Sequence, residues 1–424
     1  MSSDNNVGVN TFEARRRPNV LAMVLAGGEG KRLMPLTAVR AKPAVPFGGR
    51  YRLIDFAISN LVNSGYRKIV VLTQYKSHSL DVHISRTWSL SSELGNYITT
   101  VPAQMRHGPR WFTGSVDAIY QNFNLIDDER PEHIIVFGAD HIYRMDARQM
   151  LEAHIASGGG ATVAGVRVPR SDASQFGIIS TEPLGTRIRE FLEKPEQPEG
   201  LVDSPDEVLA SMGNYIFSTE LLMDMVAKDA DDETSNHDIG GDLLPRIVAS
   251  GDAHVYDYTL NEVAGDTPKT AHYWRDVGTI DSYFAANLDL IAHDPKFNLY
   301  NTEWPIFSYS RNLPPARFES DGTTGTPAVN DSIISTGTIV RGARVAESVV
   351  STSCRIDPGA NVERSVVLDN VHIGAGSTIR NCVVDKNVVI PPNTVIGADP
   401  ELDSERFTVS PGGIVVIPKN SIVQ

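Results

Sequence analysis

From residue 18 to about residue 295, short apolar runs alternate with helix-period patterns. Val20–Ala26, Lys68–Thr73, His133–Gly138, Thr162–Val168 and Gly213–Phe217 read as buried strands. Between them, apolar residues recur at helical spacing: Ile54, Ile58 and Leu61; Leu80 and Ile84; Val116, Ile119 and Tyr120. This alternation predicts an α/β domain with a mainly parallel sheet covered by helices on both faces. Such sheets bind ligands at the carboxyl ends of their strands. A glycine-rich loop follows Val20–Ala26, Asp140 follows His133–Gly138, and Asp276 follows Tyr273-Trp274. The three are expected to meet at one edge.

After residue 328 the period changes. Ile333, Ile339, Val345, Val350, Ile356, Val362, Val367, Ile373, Ile379, Val384, Ile390 and Ile396 follow a 6-6-5 cycle that repeats every 17 residues. No α-helix has that spacing. A triangular coil with one inward aliphatic residue per side does, so the segment is predicted to be a left-handed parallel β-helix of about four turns. The chain then divides into a tail (1–17), a catalytic α/β domain (18–295), a linker rich in Pro, Asn and Gly (296–328), and the prism (329–424). The prism register puts Cys354 and Cys382 inside, on different faces and roughly 10 Å apart. That is beyond disulfide reach, so both are expected to be free, buried and without a catalytic role.

A chain of 424 residues fits two domains. Its net charge of −14 argues against a general nucleic-acid partner. No apolar run is long enough for a membrane span. Arg15-Arg16-Arg17 before Val20–Ala26 superficially resembles an export signal. The apolar run, however, leads directly into Glu29, Lys31 and Arg32 and reads as a strand. Two cysteines exclude a disulfide scaffold and suggest a reducing, cytoplasmic compartment. The polar tail is expected to be disordered.

Against this acidic background, Lys31, Arg32, Arg40, Lys42, Arg50 and Arg52 form a cationic stretch with no Asp or Glu among them. Gly27, Gly28 and Gly30 precede it. Cations beside a loop whose backbone N–H groups can approach closely call for a polyanion. It is not a Walker A loop, because Arg32 stands where Ser or Thr is needed. Nor is it a dinucleotide fingerprint, because Leu33 replaces the third glycine.

Leu25-Ala-Gly-Gly-Glu-Gly-Lys-Arg-Leu33 and Arg40-Ala-Lys-Pro-Ala-Val45 resemble the signature of sugar-phosphate nucleotidylyltransferases. So do Pro102-Ala-Gln104, Trp111-Phe-Thr-Gly114, Ala139-Asp-His141, Phe191-Leu-Glu-Lys-Pro195, Ser211-Met-Gly213 and Tyr273-Trp-Arg-Asp-Val-Gly278. As an ordered set they resemble the bacterial glucose-1-phosphate adenylyltransferase family, from about residue 18 to the end. The resemblance implies a Rossmann-like catalytic domain. The implied reaction joins ATP and α-D-glucose 1-phosphate into ADP-glucose and pyrophosphate, with Mg2+, in a regulated homotetramer serving glycogen synthesis.

In that chemistry the attacking oxygen already belongs to a phosphate, so neither a general base nor a covalent intermediate is needed. The barrier is electrostatic, and cations, backbone donors and a metal lower it. Arg32, Lys42 and Asp140 are the catalytic candidates. Leu25, Gly27, Gly28 and Gln104 would hold the nucleotide, with the Gln104 amide reading the adenine edge. Phe112, Gly177, Glu193, Lys194, Ser211 and Trp274 would form the glucose 1-phosphate site. Asp140 and Asp276 would bind the metal, since Mg2+ takes few carboxylates and keeps water and phosphate oxygens. His141 is read as a structural histidine rather than a ligand.

Phe112 stands where many relatives have Tyr, and Ala139 replaces a common Gly. Val39 and Pro46 stand where enteric relatives have a lysine and a histidine linked to effectors. Arg40, Arg52 and Lys386 could still line an anionic effector site, with the effector's identity open. Two alternatives keep the fold: a uridylyl- or guanylyltransferase on another sugar phosphate, and a regulatory subunit. A third, an acyltransferase prism, is disfavoured because this prism is short and His372 is its only histidine.

Overall fold

The computed structural model describes residues 18–423 except 91, 92, 94, 105, 107–109, 183, 184 and 323–325. The tail, residues 1–17, lies outside the described residues. The strand Val20–Ala26 is almost entirely buried and central in its sheet, which is why its sequence is apolar without alternation. It pairs in parallel with Lys68–Thr73 on one side and His133–Gly138 on the other. In register, Leu25 lies opposite Leu72 and Gly138. The three strands therefore end together, and the loops that leave them share one edge. Tyr97–Pro102 extends this parallel block beyond Lys68–Thr73.

Beyond His133–Gly138 the direction reverses. The long strand Glu207–Ser218 runs antiparallel to it, and also to Ala161–Pro169 and Gly177–Thr181. Among the described residues the sheet has nine strands and is mixed rather than mainly parallel. Apolar runs report burial and not direction, so the pattern could not show this reversal.

Alternate side chains of Val20–Ala26 point to opposite layers. Ala22, Val24 and Ala26 pack with Ile54, Ile58 and Leu61 of the helix Leu53–Asn63 and with Leu80 and Ile84 of His78–Thr87. Leu21 and Met23 pack with Val116 and Ile119 of Ser115–Tyr120 and with Leu222 and Val226 of Thr219–Ala230. Helices thus cover both faces.

The carboxyl-terminal domain is a left-handed parallel β-helix with three faces of five, five and six strands among the described residues. Five strands at about 4.8 Å spacing give a prism roughly 20 Å high. Val345, Val350, Ile356, Val362, Val367, Ile373, Ile379, Val384, Ile390 and Ile396 are fully buried in its core. Ile333 and Ile339 are not part of that column. In the first coil Ile334 pairs with Val350 and Val340 with Ile356, a repeat of 16 residues instead of 17. The shorter coil shifts the register by one, so Val340 takes the core position and Ile333 packs toward the catalytic domain. The first strand of the prism, Arg317–Glu319, lies within the 296–328 segment and pairs with Ile339–Arg341. Cys354 and Cys382 are free and buried, and burial raises both thiols above their ordinary range.

One face of the prism packs on the catalytic domain. Val366, Val383 and Val416 join Phe47, Phe56, Tyr283 and Phe297 in a single apolar cluster.

Candidate active site

Just past Ala26 the chain turns through Gly27-Gly28 toward Gly30, which adopts φ 65°. A side chain at Gly30 would meet Lys42 Cβ and Thr37 Cγ2, each at 3.0 Å. Glycine thus lets the loop lie directly on the Lys42 turn. Lys42 opens a short turn with Pro43 behind it, so its backbone is held and its stem is buried. Its Nζ donates to Asp140 Oδ2 at 2.7 Å and lies 3.5 Å from Asp276 Oδ1. Burial works against the charge on Lys42, but Asp140 and then Asp276 outweigh it and raise its pKa. Burial likewise works to raise the Asp140 carboxyl, yet the Lys42 ammonium and His141 hold it well below the usual carboxylate range. A side chain at Gly278 would meet Asp276 Oδ2 at 2.7 Å and Arg32 Nη2 at 3.0 Å, which places the Arg32 guanidinium beside the same carboxylate. Arg32, Lys42, Asp140 and Asp276, up to 244 residues apart in sequence, therefore share one cleft.

A two-stranded ribbon sets the carboxylates. His141–Tyr143 pairs antiparallel with Trp274–Asp276, and His141 lies opposite Asp276 in register. Ligand atoms of Asp140, His141 and Asp276 all lie within 4.8 Å of one another. His141 Nδ1 is buried and has no hydrogen-bond partner among the described residues. Two carboxylates and a spare imidazole nitrogen suit a divalent cation, so the residues present fit the metal that this chemistry implies.

Two cavities meet here. One, of about 450 Å³, is lined by Leu25, Gly27, Gly28, Leu72, Gln74 and Phe112. The other, of about 420 Å³, holds Arg32, Lys42, Asp140 and Asp276 at one end and Gly177, Glu193, Lys194 and Ser211 at the other. Leu25, Ser115 and Asp238 line both, so the cavities adjoin. Lys194 pairs with Glu193 at the cavity mouth.

Three expected residues sit elsewhere. Gln104 is exposed, lines neither cavity, and accepts from Arg106 Nε at 3.1 Å. Phe112 borders the glycine-loop cavity rather than the Lys194 cavity, because its backbone N–H and carbonyl are both bonded to the Gln74 amide. Trp274 lies behind the second cavity, with its ring 5.1 Å from His141 and 5.3 Å from Phe176. It braces His141 instead of lining the cavity.

Gln74, Ser115, Tyr215 and Asp238 were missed. Asp238 carries the most readable signal. It is an Asp directly before Ile-Gly-Gly, and its Oδ1 accepts from the N–H groups of Gly240 and Gly241 at 3.0 and 2.9 Å. Its Oδ2 accepts from Ser115 Oγ at 3.0 Å. This bond ties the start of the helix Ser115–Tyr120 to the floor shared by the two cavities.

A further cavity of about 410 Å³ lies between the domains, lined by Arg50, Arg52, Arg311, His83, Asp369 and Lys386 among others. Arg52 donates to Ser79 O at 2.7 Å and Lys386 to Asp369 at 2.5 Å. Burial lowers the pKa of Lys386 more than Asp369 restores it. Arg40 does not line this cavity. Its Nη2 donates to both Asp385 oxygens at 2.9 Å, and both side chains are buried.

The fold and the cleft are those of a nucleotidyl transferase. Residues 21–293 match the Nucleotidyl transferase family, and residues 314–417 match the family described as GlmU-like, C-terminal hexapeptide. The glucose-1-phosphate adenylyltransferase of Acidothermus cellulolyticus is 60% identical over 414 residues, 96% of this chain and 99% of that protein. The protein of the same name from Mycolicibacterium smegmatis is 57% identical over 96% of this chain and 99% of its own length. That of Corynebacterium glutamicum is 56% identical over 96% and 98%. The chain belongs to the glucose-1-phosphate adenylyltransferase family.

Proposed function

We propose that this protein transfers the adenylyl group of ATP to α-D-glucose 1-phosphate, releasing pyrophosphate and forming ADP-glucose for glycogen synthesis. The observation that carries this is the pair of adjoining cavities, one behind the glycine loop and the other holding Lys42, Asp140 and Asp276 together. A phosphate oxygen of the sugar attacks the α-phosphorus, a new P–O bond forms, and the bond to the bridging oxygen of the β-phosphate breaks. The leaving group carries away the electron pair as pyrophosphate. Gly27 and Gly28 let the loop backbone face the triphosphate, with open space above Gly28. Arg32 and Lys42 neutralise the outer phosphates as they leave, and Lys42, with its stem buried, is already held in place by the fold. Lys194 and Glu193 would take the sugar phosphate and its hydroxyls, beside Gly177 and Ser211. Asp140 and Asp276, with His141 beside them, would hold Mg2+, which when bound supplies charge compensation at the α-phosphoryl group.

The interdomain cavity is read as the site of an anionic metabolite effector, held by Arg52 and Lys386 together with Arg50 and Arg311. Arg40 serves that site indirectly, by fixing Asp385 next to Lys386. A cytoplasmic homotetramer fits the family. Among the described residues no helix is long and apolar enough to cross a membrane. Sedimentation at micromolar concentration tests the assembly, and a stable monomer defeats it. For the activity, pyrophosphate release is measured with glucose 1-phosphate, Mg2+ and each of ATP, UTP, GTP and CTP, with and without sugar-phosphate effectors. ATP is expected to be preferred; a preference for UTP overturns the assignment.

A further inference from the structure

His141 is held more firmly than a bystander needs. The strand pairing sets it opposite Asp276 in register, and Asp140 is its neighbour in sequence. Its ring lies against Trp274, with centroids 5.1 Å apart. A Cβ at Gly138 or Gly213 would lie 3.5 or 3.4 Å from the ring's Cε1, so both backbones pack directly along the imidazole edge. Nδ1 lies 3.8 Å from Asp140 Oδ1 and Nε2 lies 3.9 Å from Asp276 Oδ1. An octahedral ion about 2.1 Å from each donor needs donor separations of roughly 3.0 Å (adjacent) to 4.2 Å (opposite). A single ion can take only one of the two nitrogens: the unpartnered Nδ1 lies inside that span from Asp140 Oδ1, and one donor atom from each of Asp140, His141 and Asp276 lies within 4.8 Å of the others. The Lys42 ammonium between the same two carboxylates marks the region as one that attracts a cation. A buried Nδ1 without a hydrogen-bond partner among the described residues leaves the ring with unspent donor capacity.

We propose that His141 is a third protein ligand of the divalent cation held by Asp140 and Asp276, and that its nitrogen makes the site prefer Mn2+ to Mg2+. This rests on the reading of the two aspartates as the metal pair. Imidazole favours first-row transition ions, whereas Mg2+ favours oxygen and water. Mg2+ then serves the reaction through its abundance, while the protein alone ranks the ions the other way. Trp274 is a positioning residue that keeps the ring turned toward the carboxylates.

The test uses the full chain without nucleotide and Mn2+ as the probe, read by electron paramagnetic resonance. The wild type is expected to bind Mn2+ and to show the nitrogen modulation of a directly bound imidazole. His141→Phe keeps a ring against Trp274 but removes both nitrogens. It should lose the modulation and bind Mn2+ at least about ten-fold more weakly. Mg2+ should displace Mn2+ from the wild type only at more than about ten-fold excess. If Asp140→Asn abolishes Mn2+ binding while the wild type shows no bound nitrogen, His141 is not a ligand and the aspartate reading stands. If Mn2+ does not bind the wild type, or binds Asp140→Asn equally well, the metal reading itself falls and this proposal with it. Should His141→Phe fail to fold, the modulation in the wild type decides alone.

Discussion

Lys42 and Asp140 are joined at 2.7 Å, and each holds the other charged inside a partly buried cleft. A change at Asp140 therefore acts on the charge arrangement rather than on packing. Asp140→Asn is expected to lower turnover by roughly two orders of magnitude or more while leaving the fold intact. Circular dichroism and single-turnover kinetics check both halves, and near-normal turnover would remove Asp140 from the chemistry. Lys194 stands at the cavity mouth and is more than half exposed at its side chain (54%), so it contributes binding more than structure. Lys194→Ala should raise the KM for glucose 1-phosphate several-fold or more with little change in kcat. A third residue acts on stability alone. His154 is buried, its Nδ1 bonded to Thr162 Oγ1 at 2.9 Å, and burial first, then His133 and His254, push its pKa down to about 4. The unfolded chain takes up that proton near the ordinary value of 6.5. Between those two values the unfolded state holds more protons, so stability falls as pH drops through the window, by on the order of 3 kcal/mol in all. His154→Gln should flatten the fall in urea midpoint between pH 7 and pH 5; an unchanged slope would show that another group carries it.

At the level of elements, the prism's inward column is the sharpest test of packing. Val340 is fully buried and Ile339 faces outward, although the 17-residue period puts Ile339 inside. Val340→Ala should cost about 2 kcal/mol, and Ile339→Ala less than about 1 kcal/mol. Equal costs would place the column where the unbroken period puts it. The same comparison shows what the chain makes legible. Wherever burial is two-sided and regular, as in Val20–Ala26 or in Val345 through Ile396, spacing alone locates the element. Tyr97–Pro102 escaped notice because only Ile98 and Val101 of its six residues are buried, as suits a strand at the sheet's edge. In the site, Arg32, Lys42, Asp140 and Asp276 could be read from chemistry and strand ends. Gln74 could not, because its part depends on a bond to a backbone 38 residues away. Gln104 shows the converse: its amide chemistry suits a base, but nothing local turns it toward either cavity. The acid-free cation run also concealed partners. Lys42 and Arg40 take theirs from Asp140 and Asp385, far along the chain.

Across the whole molecule, the Arg40–Asp385 pair joins the amino-terminal cationic stretch to the prism, 345 residues away. It lies beside an apolar cluster that both domains share, with Phe47 and Tyr283 on one side and Val383 and Val416 on the other. A shared core of this kind is expected to couple the unfolding of the two domains, with the ion pair fixing one point of their docking. Removing one partner leaves a buried charge uncompensated, which typically costs about 3–5 kcal/mol. Asp385→Asn should therefore shift the urea midpoint of a single transition followed by both tryptophan fluorescence and circular dichroism. Arg40→Met combined with Asp385→Leu removes both charges and should recover most of the loss, since an apolar pair of similar size can replace a buried ion pair. The paired variant is also informative about regulation. Asp385 accepts from the backbone N–H of Lys386 at 2.6 Å, and Lys386 lines the interdomain cavity. A stable double variant that keeps basal turnover but loses its response to sugar-phosphate effectors would tie the latch to that cavity. If Asp385→Asn instead unfolds the prism in a separate step and leaves the catalytic domain's midpoint unmoved, the two domains are not one unit.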